Sequence, residues 1–193
     1  LFPEQAFNWD WMMEKIKKEK REIKVLNLFA YTGGASVACL SAGASVCHVD
    51  SSKGMVAWAK ENVNSSKLSD KPIRYIVDDV FKFVNREIRR GNVYDAIIMD
   101  PPSYGRGAKG EVWHFEENIE ELVKLCTKVL SNNPLFFLIN SYTTGISSTV
   151  LANILNFNIE KKYKGKISCG EIGLPMTNSN IVLPCGIYGR WEK

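Results

Sequence analysis

Short apolar bursts alternate along this chain with stretches in which apolar positions recur every three or four residues. The bursts fall at 25–30 (VLNLFA), 45–49 (SVCHV), 73–77 (IRYIV), 94–99 (YDAIIM) and 135–139 (LFFLI). Helices are predicted from Thr32 to Gly43, around Met55 to Asn64, near Val80 to Arg90, from Phe115 to Leu130 and from Ser147 to Leu155. Apolar strands separated by helices of this length predict a parallel sheet covered on both faces. Two longer strands, about 158–168 and 180–189, follow, joined by a loop with Gly170, Gly173 and Pro175. No helix separates them, so they are expected to pair antiparallel at one edge of the sheet. The expected fold is α/β, doubly wound and mostly parallel. Residues 1–193 read as a single domain, with residues 1–22 carrying a leading helix (Phe2 to Lys20).

Polar signals collect where these strands end, which in an open α/β sheet is where a ligand crevice forms. The first is the turn Phe29-Ala30-Tyr31-Thr32-Gly33-Gly34. Glycines at a strand-to-helix turn let backbone approach a ligand, and the helix start offers unpaired N–H groups to a carboxylate. A tight bend needing glycine for its own geometry explains the same residues. The turn lacks the GxGxxG that cradles a pyrophosphate, so a ligand bearing an amino-acid carboxylate fits better than a dinucleotide.

The second signal, Asp50, is placed to accept both hydroxyl hydrogens of a ribose. Ser51 and Ser52 already serve as caps for the helix that follows. At the third strand end Asp79 follows Asp78, and a carboxylate there suits an adenine amino group while Val80 and Phe81 pack on the ring. Asp79 is an equally good helix N-cap. The fourth signal is Asp100-Pro101-Pro102-Ser103-Tyr104. Two prolines after a buried strand fix φ and remove N–H donors, leaving the carbonyls and the Asp100 side chain to hold a planar group on which Tyr104 stacks.

Composition narrows the field. Five cysteines without a CxxC pair argue against a disulfide framework or a zinc site and suit a reducing cytoplasm. No metal site is expected. No apolar run approaches the roughly 18 residues of a membrane span, and the first residues do not form a signal peptide. The chain starts without Met, which leaves room for a preceding RNA-binding domain. A net charge of +4 is compatible with nucleic acid without demanding it. The loop Gly105-Arg106-Gly107-Ala108-Lys109-Gly110 adds a basic strip suited to a phosphate backbone. Trp113 is placed either to stack on a base or, with Phe115, to anchor the next helix. His114 is a candidate proton acceptor, and His48, inside a strand, is expected to be structural.

Taken in order, Asn27 to Gly34, Val49-Asp50-Ser51, Asp79-Val80-Phe81-Lys82 and Met99-Asp100-Pro101-Pro102 resemble the class I methyltransferases. Within these the chain is similar to the bacterial 23S rRNA methyltransferases that modify cytosine C5 or guanine N7. Phe2-Pro3-Glu4-Gln5 is similar to that group's Phe-Leu-Asp-Gln segment. The resemblance implies a Rossmann-like, seven-stranded sheet with an antiparallel edge strand, and S-adenosylmethionine as cofactor. It implies that Tyr31, Thr32 and Gly33 border the methionine half, Asp50 binds ribose and Asp79 binds adenine. Gln5, Phe29, Ser51 and Val80 complete the expected cofactor contacts, and Asp100 faces both the methyl group and the substrate. Asp100, Pro101, Pro102 and Tyr104 are the expected catalytic set.

One departure matters. Cytosine-C5 chemistry needs a nucleophilic Cys, and the segment after the fifth strand reads Asn140-Ser141-Tyr142-Thr143-Thr144-Gly145 instead. A nitrogen of a nucleobase, in rRNA, is therefore the expected acceptor. A small-molecule or protein methyltransferase, or a non-catalytic cofactor-binding module, is the alternative, since fold does not dictate function.

Overall fold

In the computed structural model, which describes residues 2–106, 110 and 112–193, the apolar bursts become the centre of one sheet. Five strands are parallel: β1 (Lys24–Leu28), β2 (Ser45–Asp50), β3 (Ile73–Val77), β4 (Ala96–Met99) and β7 (Phe136–Ser141). A two-stranded hairpin, β5 (Tyr104–Arg106) with β6 (Val112–His114), stands apart from the sheet. The chain ends in β8 (Lys166–Pro175) and β9 (Val182–Glu192), giving the order β3-β2-β1-β4-β7-β9-β8. Every residue of β4 and β7 is buried, because helices lie on both sides of them.

The helices are α1 (Ala6–Lys18), α2 (Gly34–Ser41), α3 (Lys53–Ser65), α4 (Val80–Arg90), α5 (Phe115–Cys126) and α6 (Ser148–Leu155). Alternate strand residues divide the core in two. Val25, Val46, Ile98 and Leu138 face α1, α2 and α3 together with Met12, Ile16, Leu40 and Val63. Leu26, Val49, Ile97 and Ile139 face α4, α5 and α6 together with Phe83, Leu122 and Leu151. From β1 the chain winds outward to β3, then returns to β4 on the other side of β1. The winding thus reverses between β1 and β4, where a crevice opens beyond the strand ends.

The doubly wound sheet is as expected, and several boundaries are corrected. The reversed strand β9 lies one place in from the edge, between β7 and β8, so β8 is the edge strand. The strand expected over 158–168 begins only at Lys166, because α6 runs on through a π-helical turn, Asn156–Glu160, that carries Ile159 into the core. Gly170, Gly173 and Pro175 belong to β8 and not to a loop. Gly173 sits at a register shift, where a Cβ would come within 2.6 Å of the Leu183 carbonyl oxygen, so glycine there marks close backbone approach. The leading helix is shorter than expected: a 3₁₀ turn, Pro3–Gln5, precedes α1. The basic loop starts as the end of β5, and Gly107, Ala108 and Lys109 lie outside the described residues.

Candidate cofactor site

The turn after β1 is held in an uncommon backbone conformation. Phe29 (φ 55°), Tyr31 (φ 48°) and Gly33 (φ 85°) all occupy the left-handed region, which costs a non-glycine residue about 1–2 kcal/mol. Two backbone hydrogen bonds support it, Ala30 N–H to the Val49 carbonyl and Gly33 N–H to the Ala30 carbonyl, both at 3.0 Å. The glycines have structural reasons of their own. Gly33 needs the positive φ and lies against Ala59, and a Cβ on Gly34 would meet the Trp9 ring at 2.8 Å. Bend and cradle are therefore one object: the bend places the uncapped start of α2 on the crevice wall.

Asp50 ties this turn down. Its carboxylate accepts from Tyr31 N–H at 2.9 Å and from Ser52 N–H at 2.8 Å. Ser52 caps α3 through Met55 N–H, as expected, which leaves Asp50 free of capping. Asp79 does cap α4, accepting from Lys82 N–H at 2.9 Å.

Two hollows meet at Phe29. The first, about 520 Å³ with its open mouth, is bordered by Gln5, Tyr31, Thr32, Gly33, Asp100 and Asn140. The second, about 880 Å³ likewise with its open mouth, is bordered by Ser51, Asp79, Val80, Phe81, Pro102 and Trp113. Ten of the expected residues thus line one hollow or the other: Gln5, Phe29, Tyr31, Thr32, Gly33 and Asp100 the first, and Ser51, Asp79, Val80 and Pro102 the second, with Phe29 shared. Asp50, Pro101 and Tyr104 border neither. Pro101 is buried beneath the turn, and Tyr104 is half exposed on β5, its hydroxyl accepting from Arg106 Nε at 2.6 Å. No cysteine borders either hollow.

Asp100 is the least satisfied group in the crevice. Its Oδ1 is buried without a hydrogen-bond partner among the described residues. Burial, reinforced by the negative charge of Glu4 and opposed by the Asn140 amide, pushes its pKa up to about 7. Around it lies a buried polar cluster. Gln5 Oε1 accepts from Asn8 at 2.8 Å and from Asn140 at 3.1 Å, and Gln5 Nε2 donates to the Tyr142 hydroxyl at 2.7 Å. Sequence reading missed Asn8, Asn140 and Tyr142. The usable signal was a polar residue inside an apolar pattern: Asn8 opens the buried stripe Asn8, Met12, Ile16 of α1, and Asn140 interrupts the all-buried β7.

The β5–β6 hairpin roofs the second hollow. Trp113 is buried, packs on Phe29 with ring centroids 4.9 Å apart, and donates its indole N–H to the Pro102 carbonyl at 2.6 Å. Trp113 thus takes the anchoring position, with part of its ring still bordering the hollow. The Pro102 carbonyl gives one of its two acceptor positions to this bond. Thr143 Oγ1 donates to Ser103 Oγ at 3.0 Å, linking the loop after β7 to the Pro-Pro turn. His48 is buried and structural as expected: its Nδ1 lies 3.0 Å from Ser36 Oγ, and burial pulls its pKa down to about 4. Among the described residues no helix is long and apolar enough to cross a membrane.

Comparison with known proteins agrees with this geometry. A family model described as S-adenosylmethionine-dependent methyltransferase matches residues 2–148. The chain is 42% identical over 88 residues to the ribosomal RNA large subunit methyltransferase I of Enterobacter sp. (strain 638), covering 45% of this chain and 22% of that protein. The protein of the same name from Escherichia coli O139:H28 is 42% identical over 82 residues, 42% of this chain and 21% of that one. The matched segments thus span about a fifth of these relatives' length. A SAM-dependent methyltransferase from Agrobacterium tumefaciens superimposes with a TM-score of 0.92 at 36% identity, covering 100% of this chain and 63% of that one. Magnesium protoporphyrin IX methyltransferase from Synechocystis PCC 6803, with bound SAM, shares the fold at a TM-score of 0.64 and 14% identity, over 98% of this chain and 80% of that one. With a family model matched over most of its length, the chain belongs to the S-adenosylmethionine-dependent methyltransferase family.

Proposed function

We propose that this chain transfers the methyl group of S-adenosylmethionine to a nucleobase nitrogen of ribosomal RNA. The observation that carries this reading is Asp100: a carboxylate whose Oδ1 is buried and, among the described residues, unpartnered, on the switch-point crevice, with no cysteine lining it. The cofactor suits these residues. The uncapped start of α2 takes its carboxylate, and Gln5, Tyr31, Thr32 and Gly33 surround its methionine half. Phe29 lies where the two halves meet, Asp50 and Ser51 serve the ribose, and Asp79, Val80 and Phe81 the adenine. When bound, the cofactor supplies a sulfonium methyl that needs no further activation.

The chain's own task is then to orient the acceptor and take up its proton. Alignment of this kind is worth roughly 7–11 kcal/mol of barrier. A carboxyl with a pKa near 7 suits a proton acceptor at neutral pH, and burial pushes Asp100 up to about 7. Pro101 and Pro102 hold it on a stiff turn. A cysteine nucleophile is not required, because a nitrogen lone pair attacks directly.

Three features support RNA. The relatives at 42% identity are named as ribosomal RNA methyltransferases. Exposed Tyr104 and Arg106 stand on the hairpin beside the second hollow. Exposed Phe2 and Tyr31 lie edge to face at 5.9 Å at the mouth of the first. Aromatic rings and cations together suit unpaired bases, and a base held in a duplex is flipped out before methylation.

The test has two arms. Calorimetry with S-adenosylmethionine should show binding that Asp50→Ala weakens at least tenfold, by about 1.4 kcal/mol or more; absent binding would overturn the cofactor reading. Labelled cofactor added to total RNA from a strain lacking the gene should mark one ribosomal RNA species at a base nitrogen. Label confined to protein or metabolites would overturn the RNA reading.

A further inference from the structure

Arg190, on β9, is buried, and among the described residues no carboxylate forms an ion pair with it, Glu192 acting on it only at longer range. Its guanidinium is packed by three aromatic rings instead: Phe7 at 4.3 Å, Tyr188 at 4.4 Å and Trp11 at 4.5 Å. Such packing stabilises a cation without neutralising it. Burial draws its pKa down to about 10, which leaves it charged at neutral pH. A guanidinium donates hydrogen bonds and accepts none. Both its Nε, at 3.1 Å, and its Nη2 point at one atom, the Oδ1 of Asn8.

That contact decides the orientation of every carboxamide beyond it. With its oxygen on Arg190, Asn8 must turn its Nδ2 inward, where it donates to Gln5 Oε1 at 2.8 Å and to Asn140 Oδ1 at 2.9 Å. Asn140, having accepted, offers Nδ2 to Gln5 Oε1 at 3.1 Å and to the Asp100 side. Gln5, with its oxygen used twice, donates through Nε2 to Tyr142, and the Tyr142 hydroxyl donates to Glu4 at 3.3 Å. A carboxamide fits its cavity equally well either way round, so shape alone does not choose between the two orientations. The donor-only cation at the far end does.

We propose that Arg190 and Asn8 are positioning residues that preset the hydrogen-bond polarity of the cofactor crevice. Through them Gln5 and Asn140 present fixed faces to the methionine half, and the run of donors ends on the two carboxylates Glu4 and Asp100. Arg190 touches neither hollow; it acts on the site through Asn8. This inference rests on the cofactor reading given above.

Asn8→Asp tests it. The variant keeps size and shape and keeps a partner for Arg190, but its second oxygen faces two acceptors. Gln5 and Asn140 must then invert, turning an oxygen toward Asp100. The expected result is a thermal midpoint close to wild type with affinity for S-adenosylmethionine, by calorimetry, lower by about tenfold or more. Wild-type affinity in the folded Asn8→Asp protein overturns the proposal. Should that variant fail to fold, Arg190→Lys and Arg190→Gln decide. Lysine remains a donor-only cation and should bind within about threefold of wild type, whereas glutamine, which can turn either way, should lose about tenfold. Equal losses in both would mean that only shape matters, and would overturn the inference. If wild type itself binds no cofactor, the cofactor reading fails and this one with it; if wild type binds and the variants match it, only this one fails.

Discussion

The indole N–H of Trp113 donates to the carbonyl oxygen of Pro102 across 2.6 Å, joining the roof of the second hollow to the turn that carries Asp100. The bond spans the hairpin, so β6 cannot lift without breaking it. Trp113→Phe keeps a ring against Phe29 and loses this donor. It should cost about 1 kcal/mol in stability and about fivefold in cofactor affinity, read by melting and calorimetry. Trp113→Ala removes the ring as well and should lose much more affinity than Trp113→Phe. Equal affinities for the two variants would show that the roof does not touch the ligand.

The turn after β1 makes a sharper prediction about stability. Gly33→Ala forces a side chain into φ 85° and against Ala59, and should destabilise by about 1–2 kcal/mol in urea. Gly34→Ala has an ordinary φ but pushes a methyl into Trp9, and should cost about 1–3 kcal/mol by overpacking. Trp9→Leu in the same chain should recover part of the second loss and none of the first. Recovery of both would place the two glycines in one packing problem.

Asp50 satisfies two backbone amides at once, and asparagine has only one acceptor oxygen. Asp50→Asn should therefore release either Tyr31 N–H or Ser52 N–H, with a loss of about 1–3 kcal/mol before any ligand is considered. The expected signature is faster amide exchange at Tyr31 or Ser52 in the free protein. Unchanged exchange at both positions would remove Asp50 from the architecture of the turn.

Two buried groups give stability opposite dependences on pH. Asp100 has a folded pKa of about 7, above its unfolded value near 4. Its neutral form is favoured in the folded state, so this contribution is full below pH 4 and is lost as pH rises to about 7, by up to about 4 kcal/mol. His48 has a folded pKa of about 4, below its unfolded value of 6.5, so its contribution is present above pH 6.5 and is lost as pH falls toward 4. Urea unfolding of Asp100→Asn against wild type should show the variant gaining relative stability between pH 4 and 7 and none beyond. A difference that does not change with pH would mean Asp100 is ionised throughout.

Much of the fold was legible because β1, β2, β4 and β7 are buried on both faces, which erases alternation and leaves plain apolar bursts. Asp50, Asp79 and Asp100 were legible for a related reason: a charge at the end of such a burst breaks the pattern where a crevice forms. The β5–β6 hairpin was not, since three residues per strand leave no period to detect. Nor was the end of α6, where a π-helical turn and a strand carry similar apolar density.

The sequence by itself determined the alternation of the main strands and helices and the residue types at the strand ends. These depend on local periodicity and on strand ends, which neighbours in the chain encode. Tertiary structure alone decided which polar groups meet. Asn8 reaches Arg190 across 182 positions and Asn140 reaches Gln5 across 135, and no local pattern relates residues so far apart. Their pairing follows from burial, because each of these groups, removed from water, must find its partner among whatever the sheet and α1 bring together.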